Sequence, residues 1–174
     1  RQGTDNAILM ENIHKYIDIS NGSSITITVR PVVSALSIGY YHTLLQFCID
    51  NKIPLKSNNV IRKVGWMSTE CLDVRVIPIN VREKYKQPYV DIINDIGSDI
   101  DIDDFNESNP HNYKTIIKNE CMKCIAMLEE PFEHEMYGDL IELLEKWDKV
   151  YGLNAYDLYP ELHDILTEYN YNVS

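Results

Sequence analysis

The sequence predicts an α+β domain: a small, mostly antiparallel sheet of about three to four strands packed on one helix, followed by a helical C-terminal half. Three observations predict it. Residues 25–30 alternate strictly, Ile25, Ile27 and Val29 against Thr26, Thr28 and Arg30, just after an Asn21-Gly22 pair that tolerates positive φ. Residues 34–51 repeat apolar side chains at helical spacing. Beyond residue 110 the same spacing continues, punctuated by Pro131 and Gly152.

The elements follow in order. Ile8, Leu9, Ile13, Tyr16 and Ile17 predict a helix over 4–17, capped by Thr4 or Asp5. Residues 24–30 read as a strand, with 17–20 as its hairpin partner. Ser34 can cap the next helix, whose stripe is Leu36, Tyr40, Leu44, Phe47 and Cys48, widened by Leu45 and Ile49. Residues 60–64 and 72–79 are expected as further strands, the second an edge because Pro78 cannot donate to a ladder. Tyr89 to Ile93 suits a short strand or a helical turn. Asn109-Pro110 restarts order as cap and first helical position. A helix to residue 130 turns Tyr113, Ile117, Cys121, Cys124, Ile125 and Leu128 inward. Another over 137–151 uses Leu140, Ile141, Leu144, Trp147 and Val150, with Gly152 ending it. A last helix is expected over 160–169.

A chain of 174 residues fits one domain. Its β-containing part is expected over 1–94, an acidic loop over 95–109 and a helical part over 110–170. At this size a core needs neither disulfide nor metal to be stable. The net charge of −11 argues against nucleic acid, whose binders release counterions with clustered Lys and Arg, and against an anionic membrane surface. No apolar run is long enough to span a bilayer, and no signal peptide opens the chain. Cys48, Cys71, Cys121 and Cys124 lack a framework spacing, so they read as reduced thiols of an intracellular protein, cytoplasmic or nuclear. Charge is uneven along the chain. Lys52, Lys56, Arg62, Lys63, Arg75, Arg82, Lys84 and Lys86 outnumber Glu70, Asp73 and Glu83. Either these cations face acidic parts of the same chain, or Arg62, Lys63, Arg75, Arg82, Lys84 and Lys86 form a basic surface.

The motifs that could carry chemistry are incomplete. Cys121 and Cys124 have C-x-x-C spacing but lie turns into a helix, away from its positive end. Zinc would need two more ligands, from among His111, His134 and Cys71, so two small thiols in a core is the simpler account. The stretch Asp99-Ile-Asp101-Ile-Asp103 begins like a calcium loop, then puts Asp104 where Gly is needed and Pro110 where the bidentate Glu belongs. No H-E-x-x-H, G-x-S-x-G or Gly-rich phosphate loop is present. His134 between Glu133 and Glu135 reads as a solvated cluster. Val90-Asp91-Ile92-Ile93 with Asp95 resembles a SUMO-interaction motif, which would imply an apolar strand added to a sheet edge; six residues of such a pattern arise often by chance, and an ordinary strand of this chain's own sheet is the favoured reading.

The leading reading is a non-catalytic protein–protein interaction module: an adaptor, an assembly subunit, or a viral protein that binds a host factor. Its partner is another protein, with homo-oligomerisation open and no cofactor expected. Twelve tyrosines against three phenylalanines suit a contact surface, and would follow equally from an AT-rich coding sequence. The interface candidates are Trp66, Tyr85, Tyr151, Tyr156, Tyr159 and Tyr169. One alternative is a small enzyme whose active site leaves no local signature, with His42 or His134 in its pocket. A second is a zinc-stabilised domain built on Cys121 and Cys124.

Overall fold

Helices dominate, and the α+β expectation is overturned. A computed structural model describes residues 5–21, 23–56, 59–60, 70–97, 113–133, 137–152 and 154–158. Their elements are α1 (Asn6–Ser20), β1 (Val32–Val33), α2 (Tyr41–Asp50), β2 (Asn59–Val60), α3 (Ile79–Ile96), α4 (Tyr113–Leu128), α5 (Tyr137–Tyr151) and the single turn α6 (Ala155–Leu158). Among the described residues β structure amounts to one parallel pairing, Val32 beside Asn59 and Val33 beside Val60, extended by an isolated bridge from Val29 to Leu55.

Each failed strand has a physical cause. Asp5 accepts hydrogen bonds from the N–H groups of Ala7 and Ile8, and α1 then runs through Ile17 and Ile19 to Ser20. The expected hairpin partner at 17–20 is therefore helix. Residues 24–30 pair only at Val29, whose N–H donates to Pro54 O while Lys56 N–H donates to Val29 O. The partner of this segment lies beyond α2, so the pairing is parallel with α2 as its crossover. Residues 72–79 alternate in sequence but not in burial: Leu72, Asp73, Val74, Val76 and Ile77 are all buried. Asp73 accepts from the Arg75 N–H and turns the chain into two short 3₁₀ turns, Glu70–Leu72 and Val74–Val76. Pro78 is the N-cap of α3, where a missing N–H costs nothing, rather than the end of a strand. The stretch that resembles a SUMO-interaction motif lies inside α3, with Ile92 buried, and is not an extended strand.

The helical expectations fare better. α2 begins at Tyr41 rather than near Ser34, because Ser34 O accepts from Ser37 and Ile38 in a run of turns. Its buried residues are Tyr41, Leu45 and Cys48, so the stripe is turned from the predicted one and Tyr40 is exposed. α4 buries Ile117, Cys121, Cys124 and Leu128 as expected, with Thr115, Glu120 and Met127. α5 matches its expected bounds, buries Leu140 and Leu144, and ends at Gly152 with φ 63, but leaves Val150 exposed. Of the acidic loop expected over 95–109, Asp95 and Ile96 instead end α3 and Gly97 caps it, while residues 98–109 and the helix expected over 160–169 lie outside the described residues.

α3 and α4 make the most extensive helix pair. They run antiparallel, tied at one end by Lys118 Nζ donating to Gly97 O at 2.9 Å and at the other by Arg82 Nη1 donating to Glu130 O at 2.6 Å. One core cluster joins Val33 and Leu45 through Ile77, Tyr89 and Ile117 to Leu140 and Ala155. Burying each such aliphatic side chain contributes about 1.5–3 kcal/mol.

Candidate binding surface

The residues expected to form a basic surface divide three ways. Arg75 is the hub of an ion cluster. Its Nε and Nη2 donate to Asp73 at 3.1 and 2.8 Å, its Nη1 donates to Glu133 at 3.0 Å, and Glu130 lies 3.6 Å from Nε. The Asp73 hydrogen bond leads in raising the guanidinium pKa, with the charges of Asp73, Glu133 and Glu130 adding to it against the cost of burial. Arg82 is buried rather than on the surface. Burial pushes its pKa down, opposed by the charges of Glu130, Asp73 and Glu83. Lys86 pairs with Glu83 at 2.7 Å and Glu129 at 3.4 Å, and Lys84 is exposed on the same helix. Arg62 and Lys63 lie outside the described residues. The cations at the start of α3 thus face acids from this chain, above all from the end of α4.

The other half of α3 has the opposite character. Pro88, Asp91, Ile92 and Asp95 share one face of α3, while His42, Thr43, Gln46, Phe47 and Asp50 share one face of α2, at spacings of about three and four residues. Between the two faces runs a groove of about 430 Å³. Phe47, Pro88 and Ile92 give it apolar walls, and Asp50, Asp91 and Asp95 carry its charge. Gln46 Nε2 donates to Asp50 at 2.8 Å and Gln87 Nε2 to Asp91 at 2.7 Å, so both carboxylates take a neutral donor. Among the described residues no Lys or Arg pairs with Asp50, Asp91 or Asp95. Burial lowers the His42 pKa below 6.5, with a backbone contact to Gly39 opposing it, so His42 is neutral at neutral pH and brings no cation to the groove.

The third surface is α1. Ile13 and Ile17 face the body of the protein, and His14 meets Phe47 edge-on at 6.1 Å. Ile8, Leu9, Tyr16 and Ile19 instead stand 57%, 46%, 63% and 57% exposed. On a wheel of 3.6 residues per turn these four occupy one sector adjoining the inward stripe. A second, polar hollow of about 560 Å³ lies where α1 and residues 20–27 meet the end of α2, lined by His14, Asp18, Ser23, Thr26, Asn51 and Lys52 among others.

The cysteines are placed for packing. All four are free and buried. Burial pushes the Cys48 thiol up to about 11 and Cys121 up to about 12, and raises Cys71 and Cys124 as well. Among the described residues no group of three or more His, Cys, Asp or Glu side chains could hold a metal ion. Native protein is therefore expected to resist iodoacetamide at pH 8, while denatured protein is alkylated at all four positions. Mass spectrometry after brief exposure reads this directly; rapid native labelling at Cys121 or Cys124 would contradict the placement.

Of the residues expected at an interface, the structure describes the side chains of Tyr151 and Tyr85. Tyr151 is 54% exposed at the end of α5. Tyr85 is half-buried against Gly39, where an added Cβ would stand 3.0 Å from its ring, so the close approach requires glycine. The Tyr156 side chain, Tyr159, Tyr169 and Trp66 lie outside the described residues. Sequence reasoning missed the open sector of α1, because Ile8, Leu9, Ile13, Tyr16 and Ile17 were read only as the spacing of a helix. The signal was available: Ile8, Leu9, Met10, Ile13, Tyr16, Ile17 and Ile19 span too wide an arc for one inward face. Among the described residues no helix is long and apolar enough to cross a membrane. No protein-family model, curated protein or solved structure matches the chain.

Proposed function

We propose that this chain is a non-catalytic protein–protein interaction module of the cytoplasm or nucleus, and that it meets its partner through the open sector of α1. The observation that carries this reading is the exposure of two apolar pairs in one sector of α1, Ile8 with Leu9 and Tyr16 with Ile19, with Asn12 between them. Single exposed apolar residues are ordinary, but apolar side chains grouped on one face are characteristic of contact surfaces. A helix of this kind docks by laying such a face into a groove or against another helix. Four buried, unpaired thiols suit a reducing compartment.

The test compares wild-type protein with Ile8→Gln/Tyr16→Gln/Ile19→Gln, which keeps good helix formers on exposed positions. Wild type is expected to retain a specific partner in affinity capture, or to self-associate in sizing with light scattering. The triple variant loses that association at an unchanged melting temperature. A wild type that is monomeric and recovers nothing beyond what the triple variant recovers would refute the reading.

A further inference from the structure

We propose that the groove between α2 and α3 binds a basic, amphipathic segment of a partner protein, which seats an apolar side chain against Phe47 and Ile92 and places Lys or Arg on Asp50, Asp91 and Asp95. The inference rests on the reading of the chain as an interaction module, but it uses a different surface and a different test.

Charge complementarity selects the occupant. The walls of the groove are apolar and the carboxylates along it have no cationic partner among the described residues. Their positions make the imbalance sharper. Asp50 is the last residue of α2 and Asp95 stands one residue from the end of α3, and neither helix has a basic residue in its last turn. Helix C-termini already carry negative potential, so carboxylates there are unfavourable to the isolated fold. A cation on the groove relieves the repulsion among the side chains and that from the helix ends together. The same chain matches Lys and Arg to acids in the 3₁₀ turn before α3 and in its first turns, where Arg75 meets three carboxylates and Lys86 two. Phosphate-bearing ligands are repelled from this face. Among the described residues no three carboxylate or His side chains gather to hold a metal ion, whereas the apolar wall of Phe47, Pro88 and Ile92 suits a Leu or Met anchor flanked by cations.

The test titrates a fluorescein-labelled amphipathic Leu/Lys peptide by anisotropy, with a Leu/Glu peptide and an oligolysine of equal charge as comparisons. The variants are Asp91→Asn/Asp95→Asn and Gln46→Lys, all at exposed positions, with thermal melts to show that both fold. The Leu/Lys peptide is expected to bind saturably, more tightly than oligolysine, while the Leu/Glu peptide does not bind. Each groove variant weakens binding by about tenfold, and amide shifts on titration cluster in α2 and α3. The α1 triple variant leaves peptide affinity unchanged. Three results overturn the proposal: no saturable binding, binding indifferent to both groove variants, or oligolysine binding as tightly as the Leu/Lys peptide. If the peptide fails while association through α1 persists, the groove proposal alone falls.

Discussion

Tyr89→Ala is expected to lower the unfolding free energy by about 3–5 kcal/mol, the range for deleting a buried aromatic ring. Tyr89 is fully buried in α3 and reaches three other parts of the fold. Its hydroxyl donates to Ile38 O in the turns before α2, its ring meets His42 edge-on at 6.0 Å, and its surroundings include Cys121 and Cys124 of α4. Burial, with the neighbouring Cys124 and Cys121 adding, drives its pKa up, so it stays a neutral donor at any ordinary pH. Tyr89→Phe keeps the ring and removes only the hydroxyl, for an expected loss of about 0.5–1.5 kcal/mol. Denaturant titrations of the three proteins check this, provided their slopes agree. Equal midpoints for wild type and Tyr89→Ala would mean that α3 is not packed on α2 and α4 as described.

Arg75→Met is expected to cost about 3 kcal/mol, the lower end for breaking a buried ion pair, because the guanidinium keeps some contact with water. The damage lies in what is left behind. Asp73 is 2% exposed and would face Glu130 and Glu133 without its hydrogen-bonded guanidinium, with the charge of the buried Arg82 as partial compensation. Burial without that partner then disfavours the charged form of the Asp73 carboxylate. Such a group adds stability as it protonates, so the deficit of the variant narrows as pH falls toward ~4, the ordinary carboxylate range. Asp73→Asn in the Arg75→Met background removes the buried charge and keeps an acceptor for the Arg75 N–H position, and it should restore more than half of the loss. Chemical denaturation at two pH values separates these outcomes. A loss independent of pH and unrelieved by Asp73→Asn would show that Arg75 acts through packing alone.

What the sequence made legible follows from where its patterns were redundant. α4 and α5 were readable because their apolar spacing, Pro131 and Gly152 all point to the same boundaries. The β expectations rested on alternation alone. Alternation implies a strand only if one face is buried and the other wet. Residues 72–77 are buried on both parities, and a local hydrogen bond from Asp73 decides the backbone instead. At 17–20 the isoleucines suited either period, and continuation of α1 prevailed over the Asn21-Gly22 turn signal. The candidate surfaces were harder still. Asp50 is far in sequence from Asp91 and Asp95, and only the packing of α2 beside α3 brings it to their groove. The basic residues looked like a patch in sequence because their acidic partners, Glu129, Glu130 and Glu133, come from a distant segment.

The parallel bridge from Val29 to Leu55 also bears on the order in which the molecule assembles. Neither side of that ladder can find its mate until α2 has formed and doubled the chain back, so the closure is non-local and late by comparison with the helices. The segment ahead of α2 in a growing or refolding chain thus waits on that closure with its backbone unsatisfied. Its stretch of threonines and isoleucines, Ile25 to Val29, is β-prone and ready to accept any other strand in the interval, which makes the same short ladder both a seam of the native fold and its point of entry for misassembly.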